Sequence, residues 1–320
     1  MSERIEGDQS MNGNSEKAAE ASSVCLPLYI FARTPLHVGA GASVGAIDLP
    51  IQRERHTGFP ILPGSTLKGV FADCWNEILP ESGISRSPDG KWLFGSEDSN
   101  SSAAGALQFS EAKLLAFPIR SAKGCFAWIT SPLILKRYAR DLGEPEKFGS
   151  LPDPGDEGAL FDSKVLGFGE KVVLEEYTFT LAGEPPPAIG KALAALLPGD
   201  PIWREVEKRT VVLSDASVSF FARSACEVAQ HVKIDDEKGT AATRALFNQE
   251  NVPGETMFYA LVRASRERRA DAGAGRRTAR DASNAFRAIL EKEKGIFQFG
   301  ADAGTGLGFC TVRLGEEAAS

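Results

Sequence analysis

The stretch at residues 26–33, LPLYIFAR, is apolar at almost every position, and it limits the possible folds more than any other part of the chain. A strand with one wet face alternates polar and apolar side chains. An unbroken apolar run needs cover on both faces. The chain must therefore place this strand inside a sheet and pack other elements over it. Further strand-like runs lie at 106–113, 125–131, 172–181, 211–221, 257–262, 296–300 and 309–314.

Two segments carry helical spacing instead. Across 65–79, Leu67, Val70, Phe71, Cys74, Trp75 and Ile78 recur every three or four residues, with Ser65 as the expected N-cap and Pro80 as the stop. Later, Asp281 or Ser283 is expected to cap a helix with the face Ala285, Phe286, Ile289 and Leu290, ending near Gly295. Strand, helix, strand, then later strand, helix, strand predicts an α+β fold with a ferredoxin-like (RRM-like) core and long insertions. The insertions at 82–105 and 144–171 exceed ordinary connections.

No apolar run approaches the ~18–20 residues of a membrane span, so a soluble protein is expected. Residues 1–23 are rich in Ser, Glu, Asn and Gly and lack a signal-peptide pattern, which predicts a disordered tail before a folded body at 24–316. Five scattered cysteines, none in CxxC spacing, and three histidines fit free thiols in a reducing cytoplasm better than a zinc site. The net charge of −7 weighs against a freestanding nucleic-acid binder, though a groove can be basic on an acidic protein.

The segment DLPIQRERHTGFPILPGSTLKG, residues 48–69, holds Pro50, Gly58, Pro60, Pro63 and Gly64. Proline fixes φ and removes a donor, so a long ordered loop is expected. It opens on an acid, Asp48, followed by Arg53 and Arg55 flanking Glu54, then Ser65 and Lys68 at a helix start. Lys68 opposes the helix dipole unless an anion docks there; a solvated basic loop, with Glu54 paired to an arginine, is the other reading. The glycine loop at 300–309 lets backbone approach phosphate through Gly304 and Gly306, or is a turn between strands. It lacks the helix a dinucleotide fingerprint needs. His37, His56 and His231 are far apart. The run RASRERRADAGAGRRTARD, at 263–281, reads as a solvated basic insertion spanning about 264–281.

ARTPLHVGAG followed by IDLPIQRERHTGFPILPGSTLKG resembles the N-terminal signature of the fourth-subunit family of type III-B CRISPR (Cmr) effector complexes, within the RAMP superfamily. FPIRSAKGCFAWITSPLILKRYARD (117–141), VVLEEYTF (172–179) and FQFGADAGTGLGF (297–309) resemble the same family in the same order. The resemblance implies a ferredoxin-like palm and a β-hairpin thumb at about 228–252. It implies a cytoplasmic filament of copies along a guide crRNA, with other Cmr-complex subunits and no membrane, and endoribonuclease cleavage of guide-paired target RNA at regular intervals. A non-catalytic RNA-binding scaffold of the same complex is the alternative. The family's catalytic aspartate maps onto Asp48, which would also hold Mg²⁺ or another divalent cation, with His37 and Glu250 in support. Arg53, Arg55, Ser65, Lys68, Arg120, Lys123, Gly304 and Gly306 are the expected RNA contacts.

Overall fold

The computed structural model describes residues 23–41, 45–79, 83–96, 103–234, 241–268 and 276–317. The tail expected at 1–23 lies outside the described residues apart from Ser23. Six elements form the core: β1 (Ser23–Ala32), α1 (Gly64–Asp73), β2 (Ala112–Ser121), β3 (Met257–Ser265), α2 (Ala279–Lys292) and β4 (Phe309–Leu314). Their strands lie in the order β4-β1-β3-β2, and every neighbouring pair is antiparallel.

The apolar run of β1 is buried on both faces, as its sequence demands. Leu28 and Ile30 are fully buried, and so are Tyr29 and Phe31 to within a few per cent. On one side α1 and α2 close over the sheet. Phe71 of α1 is the hinge of that layer, with ring centroids 5.6 Å from Phe109, 5.0 Å from Phe286 of α2, 5.1 Å from Phe297 and 5.7 Å from Phe299. On the other side Phe31 packs edge-on against Trp203 at 5.2 Å, and the Tyr29 hydroxyl lies 3.0 Å from that of Tyr138 on the helix Pro132–Asp141.

Several elements differ from the sequence expectation. The helix expected at 65–79 runs only over Gly64–Asp73, because Asn76–Leu79 pairs as a strand with Gly83–Arg86. Its N-cap is Pro63, with no side-chain cap, and Ser65 lies within the first turn. The strand expected at 211–221 splits into a strand, Thr210–Val212, and a helix, Asp215–Ser224. Ser214 decides this: its hydroxyl accepts from the Ser217 amide at 3.2 Å, and Val218, Phe221 and Ala222 then fall on one buried face. The C-terminal helix starts earlier than expected, on Thr278. Thr278 and Asp281 cap each other reciprocally. The insertions are not structureless, since 82–105 holds the helix Pro88–Phe94 and 144–171 the strand Gly158–Leu160.

After the helix Asp215–Ser224 the chain leaves the body as an antiparallel hairpin, Glu227–Ile234 with Ala241–Asn251. Val228, Val232 and Leu246 are solvent-exposed along it. In the hairpin register Val228 faces Glu250 and Val232 faces Leu246, so these three apolar side chains share one face. Across the other face His231 stacks on Phe247 at 5.2 Å. No helix among the described residues is long and apolar enough to cross a membrane.

Candidate functional site: the hairpin root

The loop joining β1 to α1 runs along the free edge of the returning hairpin strand and bonds to it step by step. Leu36 and Val252 exchange two backbone hydrogen bonds of 2.9 Å. His37 Nδ1 lies 2.7 Å from the Glu250 carbonyl. The Glu250 amide donates to the Leu49 carbonyl at 2.9 Å, and the Leu49 amide donates to the Asn248 carbonyl at 3.0 Å. The last stitch is a side chain: the Asn248 amide donates to Asp48 Oδ2 at 2.8 Å. Leu36, His37, Asp48, Leu49 and Ile51 thus form a seam with residues 248–252, antiparallel at Leu36 and parallel at Leu49, and Asp48 sits at its outer end, where the hairpin departs.

Asp48 is exposed, while Pro50, two residues on, is buried. One oxygen is held by the Asn248 amide; the other has no hydrogen-bond partner among the described residues. Fixed backbone and a free carboxylate oxygen are what a proton acceptor or a ligand for a substrate-bound cation needs.

Glu250 and His37, for which the resemblance implies supporting roles, sit inside the seam. Glu250 is buried, accepting from the Ile51 amide at 3.1 Å and from Arg53 at 2.6 Å. His37 is buried as well, at 5% exposure. Neither side chain faces solvent beside Asp48. Both hold the seam together, which makes them positioning residues.

Arg53, expected to meet RNA, directs its guanidinium inward, to the carbonyls of Gly58 and Ala222 at 2.7 Å each, to Cys226 Sγ at 3.3 Å and to Glu250. Burial pushes the Cys226 thiol up to about 11 although Arg53 beside it pulls the other way. Glu54 pairs with an arginine, as one reading of the loop had it, but the partner is Arg137, at 2.9 Å. Burial alone would raise Glu54; hydrogen bonds from Thr57 and Arg137 outweigh it and hold the carboxyl below its ordinary value.

Arg120 lies exposed, but it is bound to two carboxylates, Glu175 at 3.1 Å and Glu176 at 2.7 Å. Lys123 donates to the carbonyls of Lys164 and Gly167 at 2.8 Å each. Both charges have partners within the chain. Arg55, Ser65 and Lys68 are exposed, and the two cations have no ion pair among the described residues.

The C-terminal glycine loop docks against the start of the seam. Gly300, at φ +81°, brings its α-carbon so close to the His37 carbonyl that a Cβ would lie 2.1 Å away, and the Ala301 amide donates to that carbonyl at 2.9 Å. Gly304 and Gly306 lie at the open apex, where a Cβ would meet nothing within 4 Å. One link escaped sequence reasoning. Gln249 is buried, and its amide donates to Asp302 Oδ2 at 2.9 Å and to Asn251 Oδ1 at 3.2 Å, tying the glycine loop to the hairpin root. A polar residue between the strand-forming Phe247 and Val252 is the only trace of it in the sequence.

Among the described residues, no group of three or more His, Cys, Asp or Glu gathers to hold a metal. Asp48 alone does not build a resident magnesium site. A divalent cation there would lean on its own waters and on substrate phosphate, as Mg²⁺ commonly does.

Residues 30–311 match the family model of the RAMP superfamily, and the chain belongs to that superfamily. Within it, the chain is 30% identical over 297 residues to the CRISPR system Cmr endoribonuclease Cmr4 of Pyrococcus furiosus, covering 90% of this chain and 94% of that protein. A shorter match, 38% over 88 residues, covers 25% of this chain and 40% of the Cms endoribonuclease Csm3 of Streptococcus thermophilus. The crystal structure of oligomeric Cmr4 from Pyrococcus furiosus superposes with a TM-score of 0.66 at 26% identity, covering 93% of this chain and 99% of that one. The fold is also that of a chain in the type III-B Cmr-beta complex bound to cognate target RNA, with a TM-score of 0.66, 20% identity and 91% and 96% coverage.

Proposed function

We propose that this chain is a backbone subunit of a type III CRISPR ribonucleoprotein. Copies of it stack along a guide crRNA in company with other Cmr-complex subunits, and each cleaves the guide-paired target RNA beside its own hairpin. Similarity to a protein named as an endoribonuclease over nearly the whole chain supports the activity. The strand order β4-β1-β3-β2, with α1 and α2 on one face, supports reading the core as a ferredoxin-like palm. The hairpin would be its thumb, and Val228, Val232 and Leu246 would press against bases and push one nucleotide of the target out of line.

The observation that carries the reading is Asp48: an exposed carboxylate, backbone-anchored at the hairpin root. In the proposed step the ribose 2′-oxygen of the displaced nucleotide forms a bond to its adjacent phosphorus as the bond to the leaving 5′-oxygen breaks. Asp48 accepts the 2′-hydroxyl proton, and a proton returns to the leaving oxygen. The products are a 2′,3′-cyclic phosphate and a 5′-hydroxyl. Holding the ribose in line is worth up to about 7–11 kcal/mol in ideal cases, and this is the task of the hairpin. Alternatively Asp48 would be the residue to hold Mg²⁺ or another divalent cation, which would supply charge stabilisation. Arg55, Ser65, Lys68 and the apex at Gly304 and Gly306 are the surfaces available to RNA backbone, which they would position without reading sequence. Sequence choice would then rest with guide pairing.

The test is Asp48→Ala in the assembled complex. Assembly and target binding should persist while interval cleavage falls by about two to four orders of magnitude, the usual worth of a positioned proton acceptor. Cleavage at the wild-type rate would remove Asp48 from the mechanism.

A further inference from the structure

The basic insertion after β3 was expected to be a solvated excursion. Its stem, however, is pinned. The Glu267 amide donates to the Arg277 carbonyl at 2.9 Å, and the Arg277 guanidinium lies 4.1 Å over the Trp92 ring while donating to Asp89 at 2.6 Å. Glu267, the acid next to Arg268, is buried, with its carboxylate turned toward Arg277. It therefore leaves Arg268 unneutralised.

Arg268 in turn lines a cleft of about 390 Å³ with Lys68, Ser65 and Gln108. Lys68 comes from α1, more than one hundred residues away in the chain. Both cations are exposed, and neither has an ion pair among the described residues. This contrasts with Arg53, Arg120, Arg137 and Arg277, each of which is bound to a carboxylate. Two unpaired cations facing one cleft repel each other unless an anion sits between them. A hydroxyl at Ser65 and an amide at Gln108 supply neutral donors at the same place.

We infer that Arg268 and Lys68 together clamp an internal phosphodiester of the bound RNA, so that Arg268, at the start of the basic insertion, is part of the RNA-binding surface. The inference rests on the RNA-binding reading above and adds a residue and a segment to it. The guanidinium supplies a planar fork to two phosphate oxygens and the ammonium a point charge.

The experiment is a fluorescence titration of the full chain with a guide-length single-stranded RNA across a salt series, using wild type, Lys68→Ala, Arg268→Ala, Arg266→Ala and the Lys68→Ala/Arg268→Ala double variant. Arg266 is an exposed arginine of the same segment that does not line the cleft. Lys68→Ala and Arg268→Ala should each weaken binding about tenfold and lower the logarithmic salt slope by about 0.7 per lost contact. The double variant should lose less than the product of the two, because the contacts share one phosphate. Arg266→Ala should lose less than threefold. RNA with a 5′-hydroxyl should bind as well as 5′-phosphorylated RNA. Equal losses for Arg266 and Arg268 variants, or a requirement for a terminal phosphate, would overturn the clamp. If Lys68→Ala weakens binding and Arg268→Ala does not, the insertion is excluded while the RNA-binding reading stands. If wild type binds no RNA, alone or with its partner subunits, both fall.

Discussion

Changing Glu250 to glutamine separates a group that does chemistry from one that holds the chemistry in place. In the native seam, Glu250 neutralises Arg53 at 2.6 Å and accepts from the Ile51 amide at 3.1 Å, with side-chain exposures of 5% for Glu250 and 19% for Arg53. Glutamine keeps the volume and one acceptor oxygen but turns an –NH₂ toward the guanidinium. Removing one partner of a buried pair costs about 3–5 kcal/mol. Here Arg53 keeps its bonds to the Gly58 and Ala222 carbonyls, so the loss should be lower, about 2–3 kcal/mol. For a chain of 320 residues that lowers Tm by roughly 3–5 °C, readable by circular dichroism. Well below the new Tm, cleavage by the assembled complex should remain within about tenfold of wild type, since Asp48 is untouched. Asp48→Asn should show the mirror image, with Tm almost unchanged and cleavage down by about two to four orders of magnitude. Should Glu250→Gln abolish cleavage while leaving Tm in place, Glu250 acts on the reacting atoms and the positioning argument is wrong.

Other outcomes follow from the same coordinates. Phe71→Ala empties the centre of the helix layer, where four aromatic rings meet it, and should cost about 3–5 kcal/mol in chemical denaturation. Glu255 is pushed up to about 7 by burial, with Asp200 adding to the rise and Arg33 opposing it. Its folded value lies above its unfolded value, so the native state holds the proton more tightly. Its contribution to stability is complete below about pH 4.5 and is lost as pH rises through about 7. Glu255→Gln should therefore flatten that fall and stabilise the protein at pH 8 by about 1–2 kcal/mol, after allowing for partial solvent screening. An unchanged pH–stability profile would show that the carboxyl is solvated in the native state.

Features that depend on local period were legible in advance. The apolar run of β1 had to be buried on both faces, and Leu67 and Phe71 lie on the buried side of α1 because three- and four-residue spacing leaves no other choice. The proline-rich loop is ordered, as five breakers in a row of strand-length segments implied. What was not legible depended on partners remote in the chain. Arg53 reads from sequence as a free cation, yet its charge is taken up by Glu250, 197 residues later. Arg120 and Lys123 are captured by residues beyond Leu160 in the same way. The split at 211–221 is a different failure. Ser214 and Ser217 stood in a readable cap pattern, but Val211, Val212 and Leu213 preceding them are equally apolar, and a short apolar run does not by itself distinguish strand from helix.

In the proposed mechanism, the seam at the hairpin root is what would let a lone carboxylate suffice. A two-stranded hairpin is marginally stable by itself, and its free edge would leave backbone donors to pivot in solvent. Here Leu36, His37, Asp48, Leu49 and Ile51 bond to that strand, which ties Asp48 to the hairpin. Strand geometry then sets the spacing between carboxylate and wedge. Asp48 is anchored at Asn248, and Leu246, 63% exposed, lies two residues further along the same strand, about 7 Å away at the usual rise. In the proposed complex, a base displaced by Leu246 would have its ribose within reach of Asp48 without any further side chain to guide it. Lengthening the strand by one residue between 246 and 248 would invert Leu246 to the opposite face. RNA binding through the palm should survive that insertion, whereas cleavage should be lost even with Asp48 intact.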